Sequence, residues 1–454
     1  MKDGVISALR SRLSVPEAWG PASKALKLSI LTFAAQIVAM AASPILTRLF
    51  TPSDLGILGV FGATVTLISL LSFFRYEQAI PLAEGDEGGA GILQLCHLCL
   101  LVSVLLLSGA VWMGGPELME LMLIPSLAPY RVLLPLGVLG AGIYTLSEFW
   151  LIRQRRYSFF GLTRIIQIVV MIALQIVAGI CGVGVVGLLA GQVIGMAFGG
   201  VLVLAQLWFR RPVGWRQISY QAHRYRHFGF YTSWSTMIKA AALQGPILLI
   251  AHFYGTQVTG WFNLALRAVT IPGDIFAKAL SRVFLGEAAR LQHENRRGLL
   301  SLFWPILRLQ AMIGVGIAIG TVVAAPLAFK LVFGAAWTQS GVYAQYLSLA
   351  MLAQFIVSPI ENFLTVAERQ GLYAFREVLR GLLSLGPLCV AFWMKASPNV
   401  AILCFSLGAA SFELVSLALA TLALRSATQS PMQSEGNSEP SPSSSDRSED
   451  SPQT

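Results

Sequence analysis

The chain has 454 residues, of which 55% are hydrophobic and only 12% are charged, and its mean hydropathy is +0.68. An ordinary soluble domain carries about 25% charged residues, so this composition excludes a soluble enzyme, a disordered chain and a disulfide-rich secreted module. It indicates a polytopic membrane protein whose outer surface is solvated by lipid. The formal net charge of +10 favours contact of basic loops with anionic lipid, and we expect no nucleic-acid partner.

Apolar runs give the predicted helices in chain order. A helix that crosses a bilayer needs about 20 apolar residues. Runs of this kind predict twelve spans, at residues 26–47, 55–76, 91–113, 131–152, 163–182, 184–208, 229–253, 259–283, 300–324, 340–364, 372–394 and 399–424. Most of the 32 lysines and arginines lie before span 1, after even-numbered spans or in the tail; the turn after span 10 is assigned Arg369, Arg376 and Arg380. Because basic loops stay in the cytoplasm, both termini are predicted to lie inside.

The predicted fold is an all-α polytopic membrane protein with two six-helix lobes arranged as parallel repeats. Two short segments recur in the second half: SPIL at 43–46 as GPIL at 245–248, and TPSDLG at 51–56 as GTQVTG at 255–260. Parallel repeats are typical of transporters with the substrate path between the halves. The predicted division is a cytoplasmic N-terminal segment (1–24), an N-lobe (25–209), a basic cytoplasmic linker (210–228), a C-lobe (229–425) and a disordered cytoplasmic tail rich in Ser, Pro and acidic residues (426–454).

Motifs of soluble enzymes are missing from the sequence. It contains no P-loop, HExxH or GxSxG, and no loop between spans is long enough for a catalytic domain. Cys96 and Cys99 form a CxxC without a second pair, which favours buried thiols over a metal or redox site. We therefore expect a transporter without a metal or cofactor, although an intramembrane enzyme remains an alternative.

Span 8 carries a polar stripe in an otherwise apolar helix. At about 100° per residue, Asn263, Asp274 and Lys278 all fall within about 40° of Arg267, so the stripe must face a partner helix or an aqueous cavity. Asp274 and Lys278 are spaced for an ion pair, and Lys278 can also extend to the interface. Arg267 is deeper, and its guanidinium suits an anionic ligand such as a phosphate.

Further polar residues are cavity candidates. Lys239 in span 7 either faces the cavity or extends to the membrane surface, and Gln244, which precedes Pro246, is placed to offer an amide where the helix kinks. Arg75 at the inner end of span 2 either pairs with neighbouring helix ends or marks the entrance to a cytoplasm-facing cavity.

Three buried carboxylates are candidates for coupling transport to a proton or a sodium ion. They are Asp274, Glu361 in span 10 and Glu413 in span 12. The sequence offers no spacing argument for choosing among them. Asp54 has a local explanation, because Thr51-Pro52-Ser53-Asp54 is typical of a turn that starts a helix.

Several segments together resemble one family. They are SPILTRLFTPSDLG at 43–56, FRYEQAIPL at 74–82, RQRRY at 153–157, GWFNLALR at 260–267 and FGAAW at 333–337. From about residue 24 to 424 the chain resembles the O-antigen and exopolysaccharide translocases of the multidrug/oligosaccharidyl-lipid/polysaccharide exporter superfamily. Gln78 departs from that pattern, in which Leu or Val is usual, so the end of span 2 is more polar here.

The resemblance implies a function and a site. It implies two six-helix lobes, alternating access and a cationic central cavity, in which Arg75 and Arg267 match by position the basic residues of related lipid II flippases. It implies transfer of undecaprenyl-pyrophosphate-linked oligosaccharide across the bacterial inner membrane for O-antigen, lipopolysaccharide or exopolysaccharide synthesis. The partners implied are the lipid-linked oligosaccharide, membrane lipids, and the polysaccharide polymerase and chain-length proteins.

Three alternatives remain open at this point. A drug or cation antiporter of the same superfamily would favour acidic cavity residues, whereas the deep charges here are net basic. A membrane-embedded glycan polymerase or ligase would need a large outward loop with acid–base or Arg and His groups, which this chain lacks. A scaffold for a glycan-assembly complex is compatible with the sequence.

Overall fold

The protein is almost entirely helical. The computed structural model describes residues 21–207, 213–294, 298–366 and 370–429, and within these ranges it contains no β-strand. The helices there are α1 (Pro21–Leu49), α2 (Pro52–Ser72), α3 (Gly85–Leu121), α4 (Leu133–Arg153), α5 (Tyr157–Ile180), α6 (Gly184–Leu207), α7 (Trp215–Arg224), α8 (Arg226–Glu294), α9 (Gly298–Phe333), α10 (Thr338–Val366), α11 (Gln370–Trp393) and α12 (Pro398–Gln429). The all-α prediction is confirmed.

Ten helical segments in the described part of the chain are long and apolar enough to cross a membrane. One of them, Thr236–Ile271, combines the predicted spans 7 and 8, because α8 is broken only at Gly255 (φ 84°, ψ 172°), a conformation that favours glycine. The helix continues through Gln244 and Pro246, so the expectation of a kink there is replaced by the break at Gly255. Helix α11 is not among the ten, since charged residues interrupt its apolar sequence.

The helices form two groups. In the N-terminal bundle (α1–α6), α5 packs against α1 and α6, and α4 packs against α3 and α6. In the C-terminal bundle (α8–α12), α10 packs against α8, α9 and α12, and α11 packs against α12. The most extensive contact in the molecule joins α2 of the first bundle to α8 of the second, and therefore this helix pair dominates the interface between the bundles.

The start of α2 is fixed by a reciprocal cap. The Thr51 hydroxyl accepts a hydrogen bond from the Asp54 backbone N–H (3.3 Å), and the Asp54 carboxylate accepts one from the Thr51 N–H (2.9 Å). Two of the backbone donors that a helix start leaves unpaired are thus satisfied. The helix start predicted from Thr51-Pro52-Ser53-Asp54 is confirmed.

The turn between α2 and α3 is held by an arginine from another helix. Phe74 and Arg75 adopt left-handed backbone conformations (φ 47° and 62°), which cost energy in residues with a side chain. Arg153 at the end of α4 donates to the carbonyl oxygens of Ile80 and Ala83 (2.8 Å each) and to that of Gly85. Arg153, which was predicted to lie in a basic loop, therefore stabilises this turn through hydrogen bonds.

The predicted linker at 210–228 contains the short helix α7, which is fastened to the N-terminal bundle. The Tyr76 hydroxyl donates to the Ala222 carbonyl (3.2 Å), and Arg224 forms an ion pair with Glu84 (2.7 Å). Together with the α2–α3 turn and the turn after α4, α7 forms what we call the basic end of the molecule. The opposite end contains the α1–α2 turn, Gly255 and the turns before α10 and α12.

Candidate functional site

The two bundles close against each other at the end opposite the basic end. The Ser53 hydroxyl of α2 and the Thr256 hydroxyl of α8 are hydrogen-bonded at 2.6 Å, and the Trp337 indole N–H donates to the Thr47 carbonyl oxygen of α1 (2.9 Å). We call this region, formed by Thr47, Ser53, Gly56, Thr256, Gly260 and Trp337, the seam. Gly56, Thr259, Gly260 and Trp337 are all buried, so the bundles exclude solvent here.

The seam depends on two glycines that face each other. A methyl group added at Gly56 would overlap the Thr256 carbonyl oxygen, and one added at Gly260 would overlap the Pro52 carbonyl oxygen. The two short segments that recur in the sequence, 51–56 and 255–260, thus lie directly against each other. No side chain fits between the backbones, because each helix presents a carbonyl oxygen to the other at the position where a Cβ would stand.

Arg267 lies on α8 below the seam. It is seven residues beyond Gly260, or about 10 Å along the helix, and within the apolar segment Thr236–Ile271. The Arg267 side chain is exposed. Among the described residues it has no hydrogen bond or ion pair, so its guanidinium remains available to a ligand.

The rest of the predicted polar stripe is only partly described. Asn263 is buried, and its amide packs so closely on Gly59 of α2 that a methyl group at Gly59 would overlap it. The structure thus places Asn263 in the contact between the bundles, one turn from Arg267. The side chains of Asp274 and Lys278 lie outside the described part of the chain, so their ion pair and their place in the site stay predictions.

The other predicted cavity residues lie in two parts of the fold. Lys239 and Gln244 are half-buried in the first segment of α8. Arg75 lies at the basic end, where it forms an ion pair with Glu77 (3.1 Å), and the two side chains are 12% and 3% exposed. Burial raises the pKa of the Glu77 carboxyl, and the Arg75 charge opposes that rise. The geometry supports the pairing interpretation of Arg75 more directly than the cavity-entrance interpretation.

The sequence analysis missed that Arg376, Glu377 and Arg380 are buried charges in the C-terminal bundle. We call Arg376, Glu377, Arg380 and Glu413 the charged cluster. Arg376 and Arg380 were predicted in a cytoplasmic turn, but they lie inside α11 and are 1% and 8% exposed. That assignment is wrong, because both arginines are buried inside this 24-residue helix. Their burial is possible because Glu377 forms an ion pair with each guanidinium group, at 3.1 Å for Arg376 and 3.2 Å for Arg380.

Residues of α12 complete the cluster. Both guanidinium groups stack on the Phe412 ring, at 5.0 Å for Arg376 and 4.7 Å for Arg380, and Arg376 also donates to the Ser416 hydroxyl. Glu413, next to Phe412, is 4% exposed. The i, i+4 spacing of the two arginines, opposite a carboxylate in the next span, is the sequence signal that could have indicated this arrangement.

A cavity of about 290 Å³ adjoins the charged cluster. Its walls come from α8, α10, α11 and α12, and its polar lining residues are Thr270, Gln354, Arg380, Ser384 and Glu413. Of the three predicted coupling carboxylates, Glu413 lines this cavity, whereas the side chains of Glu361 and Asp274 lie outside the described residues. In the described chain no three His, Cys, Asp or Glu residues are grouped as a metal site would require.

Comparisons with known proteins identify the family and the fold. The family model described as polysaccharide biosynthesis protein matches residues 45–342. A curated relative, the succinoglycan biosynthesis transport protein ExoT of Rhizobium meliloti (strain 1021), is 22% identical over 353 residues. That match covers 71% of this chain and 63% of the relative, so the chain spans less than two thirds of the relative's length.

Solved structures with the same fold include transporters in different conformations. A multidrug resistance MATE family transporter of the MOP superfamily, inward-facing, superposes with a TM-score of 0.70 at 15% identity, covering 88% of this chain and 98% of that one. The lipid II flippase MurJ, inward closed, gives 0.69 at 15% identity, covering 88% and 89%. The MATE transporter in its outward-facing conformation gives 0.59 at 15% identity, covering 90% and 96%.

The family model matches well over half of the chain, and the fold agrees with the resemblance to exporters that the sequence indicates. The expectation of a multi-pass bacterial membrane protein is confirmed. The chain belongs to the polysaccharide biosynthesis protein family and has the fold of the MOP superfamily of transporters.

Proposed function

We propose that this protein is a flippase that carries undecaprenyl-pyrophosphate-linked oligosaccharide repeat units from the inner to the outer leaflet of the bacterial inner membrane. The carried units serve the synthesis of a surface polysaccharide, either O-antigen or exopolysaccharide. Family membership and the transport function in the name of the relative from Rhizobium meliloti support the substrate class. A polysaccharide polymerase and chain-length proteins are the proposed partners downstream.

The proposal rests on the position and the exposure of Arg267. It is an accessible arginine in an apolar segment, about 10 Å below a closed seam, and it lacks an ion-pair partner among the described residues. A charge in such a place is expensive unless it faces water or a ligand. A guanidinium binds phosphate oxygens in a bidentate manner and stays charged, which suits a pyrophosphate headgroup.

Alternating access supplies the proposed mechanism. With the seam closed, a substrate could enter only from the basic end, which we assign to the cytoplasm because basic residues concentrate there. Transport then requires the seam to open and the basic end to close. At the seam the closed state is stabilised by the hydrogen bond between Ser53 and Thr256 and by the close backbone contacts at Gly56 and Gly260.

We also propose the finer topology. The break at Gly255 divides α8 into two crossings, and α11 crosses with its charges paired, which brings the ten apolar segments to twelve spans. This arrangement agrees with two six-helix lobes as parallel repeats, N-lobe 25–209 and C-lobe 229–425, and with both termini in the cytoplasm. The basic linker then lies on the cytoplasmic side, where α7 stands.

The test uses a deletion strain of the source bacterium. We expect lipid-linked oligosaccharide to accumulate on the cytoplasmic leaflet and the surface glycan to be lost, with rescue by the wild-type chain. Arg267→Gln should fail to rescue although its abundance in the membrane is unchanged, and Arg267→Lys should rescue partly, because a lysine keeps the charge but not the bidentate geometry. Lys330→Gln, which removes an exposed cation from α9, is the matched control and should rescue fully.

Other outcomes of this experiment would contradict the proposed site or favour a different function. Full rescue by Arg267→Gln would refute the assignment of Arg267 to the substrate site. Unchanged glycan with altered tolerance to drugs or cations would replace the flippase by an antiporter. Repeat units that reach the outer leaflet but stay unpolymerised would assign the missing step to a membrane-embedded polymerase or ligase.

A further inference from the structure

The short helix α7 packs along the first turns of α3 in the opposite direction. Four contacts pair its residues with residues of α3 in reverse order: Val213 with Gln94, Gln217 with Gly91, Gln221 with Gly88, and Arg224 with Glu84. The first is a hydrogen bond of 3.1 Å and the last an ion pair of 2.7 Å. The two ends of α7 therefore lie at different depths, about 15 Å apart along α3.

The start of α7 lies at the level at which α3 enters the membrane. The first residues of α3 are small or acidic, and its apolar run begins at about residue 91. Gln217 packs at Gly91, so the two residues just before it, Trp215 and Arg216, lie at the membrane surface. The other end of α7 extends away from the membrane.

The face of α7 that is turned away from α3 is aromatic and basic. Five exposed residues share it: Trp215, Arg216, Ser219, Tyr220 and His223. At about 100° per residue they fall within an arc of about 140°. Trp215 and Tyr220 are 68% and 55% exposed. Tryptophan and tyrosine are enriched at the boundary between lipid and water, where their amphipathic rings lie at the level of the headgroups.

The positive charge at the start of α7 has no local compensation. The sequence contains no acidic residue between Glu148 and Asp274, and in the described part of the chain Arg216 makes no hydrogen bond or ion pair. The acidic residues at the start of α3 adjoin the other end of α7, where Glu84 pairs with Arg224. A free guanidinium at the membrane surface attracts the phosphate groups of anionic lipids.

We propose that the exposed face of α7 is a binding site for an anionic phospholipid of the surrounding bilayer. Arg216 binds the phosphate group, Trp215 packs on the lipid at the boundary of the acyl chains, and Tyr220 lies beside the headgroup. The ligand class is a phosphodiester lipid with a net negative charge, such as phosphatidylglycerol. This site is separate from Arg267 and does not depend on the proposed transport function.

The site lies where the chain passes from one bundle to the other. The Tyr76 hydroxyl, which donates to the Ala222 carbonyl at 3.2 Å, fastens α7 to the N-terminal bundle. Tyr225 alone separates α7 from α8, the first helix of the C-terminal bundle. Because only the folded chain presents this face, a bound phospholipid should also raise the unfolding temperature of the protein.

The test counts lipids bound to the purified full-length protein. The protein in a neutral detergent is titrated with phosphatidylglycerol or with zwitterionic phosphatidylcholine, and bound lipid is measured by native mass spectrometry. The first phosphatidylglycerol should bind at least about 5-fold more tightly than phosphatidylcholine, because one arginine near a membrane surface contributes a factor of about this size. Equal affinities for the two lipids would overturn the proposal.

Variants separate this site from general attraction to a basic protein. Arg216→Gln should weaken binding of phosphatidylglycerol about 5-fold and leave that of phosphatidylcholine unchanged. Arg155→Gln is the matched control, since it removes an exposed arginine from the turn after α4 at the same end of the molecule, and it should bind as the wild type does. An equal loss in both variants would refute a site at α7.

The unfolding temperature gives a second readout of the same site. Phosphatidylglycerol should raise it in the wild type and in Arg155→Gln, and by a smaller amount in Arg216→Gln and Trp215→Ser. All four residues concerned in these comparisons are exposed or replaced at exposed positions, so the variants should fold. The same rise in Arg216→Gln as in the wild type would contradict the proposal.

Other occupants of this face give different results. Undecaprenyl phosphate shares the phosphate chemistry, so binding of it at Arg216 without binding of phosphatidylglycerol would make α7 a substrate-docking site and overturn the proposal. Residues 430–454 contain five acidic residues. Binding of phosphatidylglycerol that occurs only after these residues are removed would assign the face to that segment and would likewise overturn the proposal. The assay contains no glycan, so its outcome is independent of the rescue experiment that tests the flippase function.

Discussion

One group of charges in the N-terminal bundle and one in the C-terminal bundle stand in different places. In the N-terminal bundle, Arg75, Arg153 and Glu84 lie at the basic end, where they fix turns and the linker helix. In the C-terminal bundle the charged cluster lies within α11 and α12, among residues almost without exposure. Charges at a helix end stabilise a local conformation, whereas a charge inside a span needs a partner, water or a ligand, since an isolated one costs about 2.5–3.5 kcal/mol on insertion scales.

The largest effect should come from breaking the pairing in the C-terminal bundle. Glu377→Gln leaves two buried arginines without the carboxylate that bridges them, and removal of one partner from a buried ion pair costs about 3–5 kcal/mol. We expect a lower abundance in the membrane and a large drop in the thermal unfolding temperature of the purified protein. A variant as stable as the wild type would show that the cluster does not hold α11 against α12.

A smaller but functionally severe effect is expected at the seam, where the bundles meet. Gly56→Ala places a methyl group on the Thr256 carbonyl oxygen, and overpacking of this kind costs about 1–3 kcal/mol. That cost falls on the closed state alone, so cross-linking through Ser53→Cys and Thr256→Cys should decrease by about 5- to 150-fold while the protein stays folded. Gly316→Ala meets open space in α9 and should leave cross-linking unchanged; an equal decrease in both variants would contradict the role of the seam.

The smallest effect should come from an exposed pair at the basic end. Arg224 and Glu84 are 38% and 77% exposed, and surface ion pairs of this kind contribute about 0–1 kcal/mol. Glu84→Gln should therefore change the unfolding temperature by far less than Glu377→Gln does, and high salt should erase the difference between Glu84→Gln and the wild type. If Glu84→Gln and Glu377→Gln changed the unfolding temperature equally, the expected difference between exposed and buried ion pairs would be refuted.

The helices were largely predictable from the sequence, and the contacts between them were not. Apolar runs predicted the spans, and the Thr51-Pro52-Ser53-Asp54 turn predicted a helix start, because both depend on neighbours along the chain. The assignment of Arg376 and Arg380 to a turn was wrong because the sequence does not show which groups pair with them. These groups are Glu377, which lies between the two arginines in α11, and residues of α12. The close approach at Gly56 and Gly260 depends on how two bundles meet, and only the repeated segments hinted at it.

The candidate site follows the same rule. The helical periodicity of α8 singled out Arg267, and the structure finds it accessible. Periodicity also grouped Asn263 with Arg267, but Asn263 packs on Gly59. The periodicity of one helix predicts which residues lie on the same face, but it does not predict what that face contacts. Of the predicted carboxylates, Glu413 lies beside a cavity that the sequence could not indicate, because its walls come from four helices.

The hydrogen bonds from Arg153 to the α2–α3 turn also set an order of events during biosynthesis. The carbonyl groups of Ile80, Ala83 and Gly85 obtain their hydrogen bonds from a residue that lies 68 to 73 positions later in the chain. At a synthesis rate of about 5–20 residues per second, Arg153 follows by several seconds. The nascent chain must therefore hold this turn without these hydrogen bonds until its fourth helix has been made.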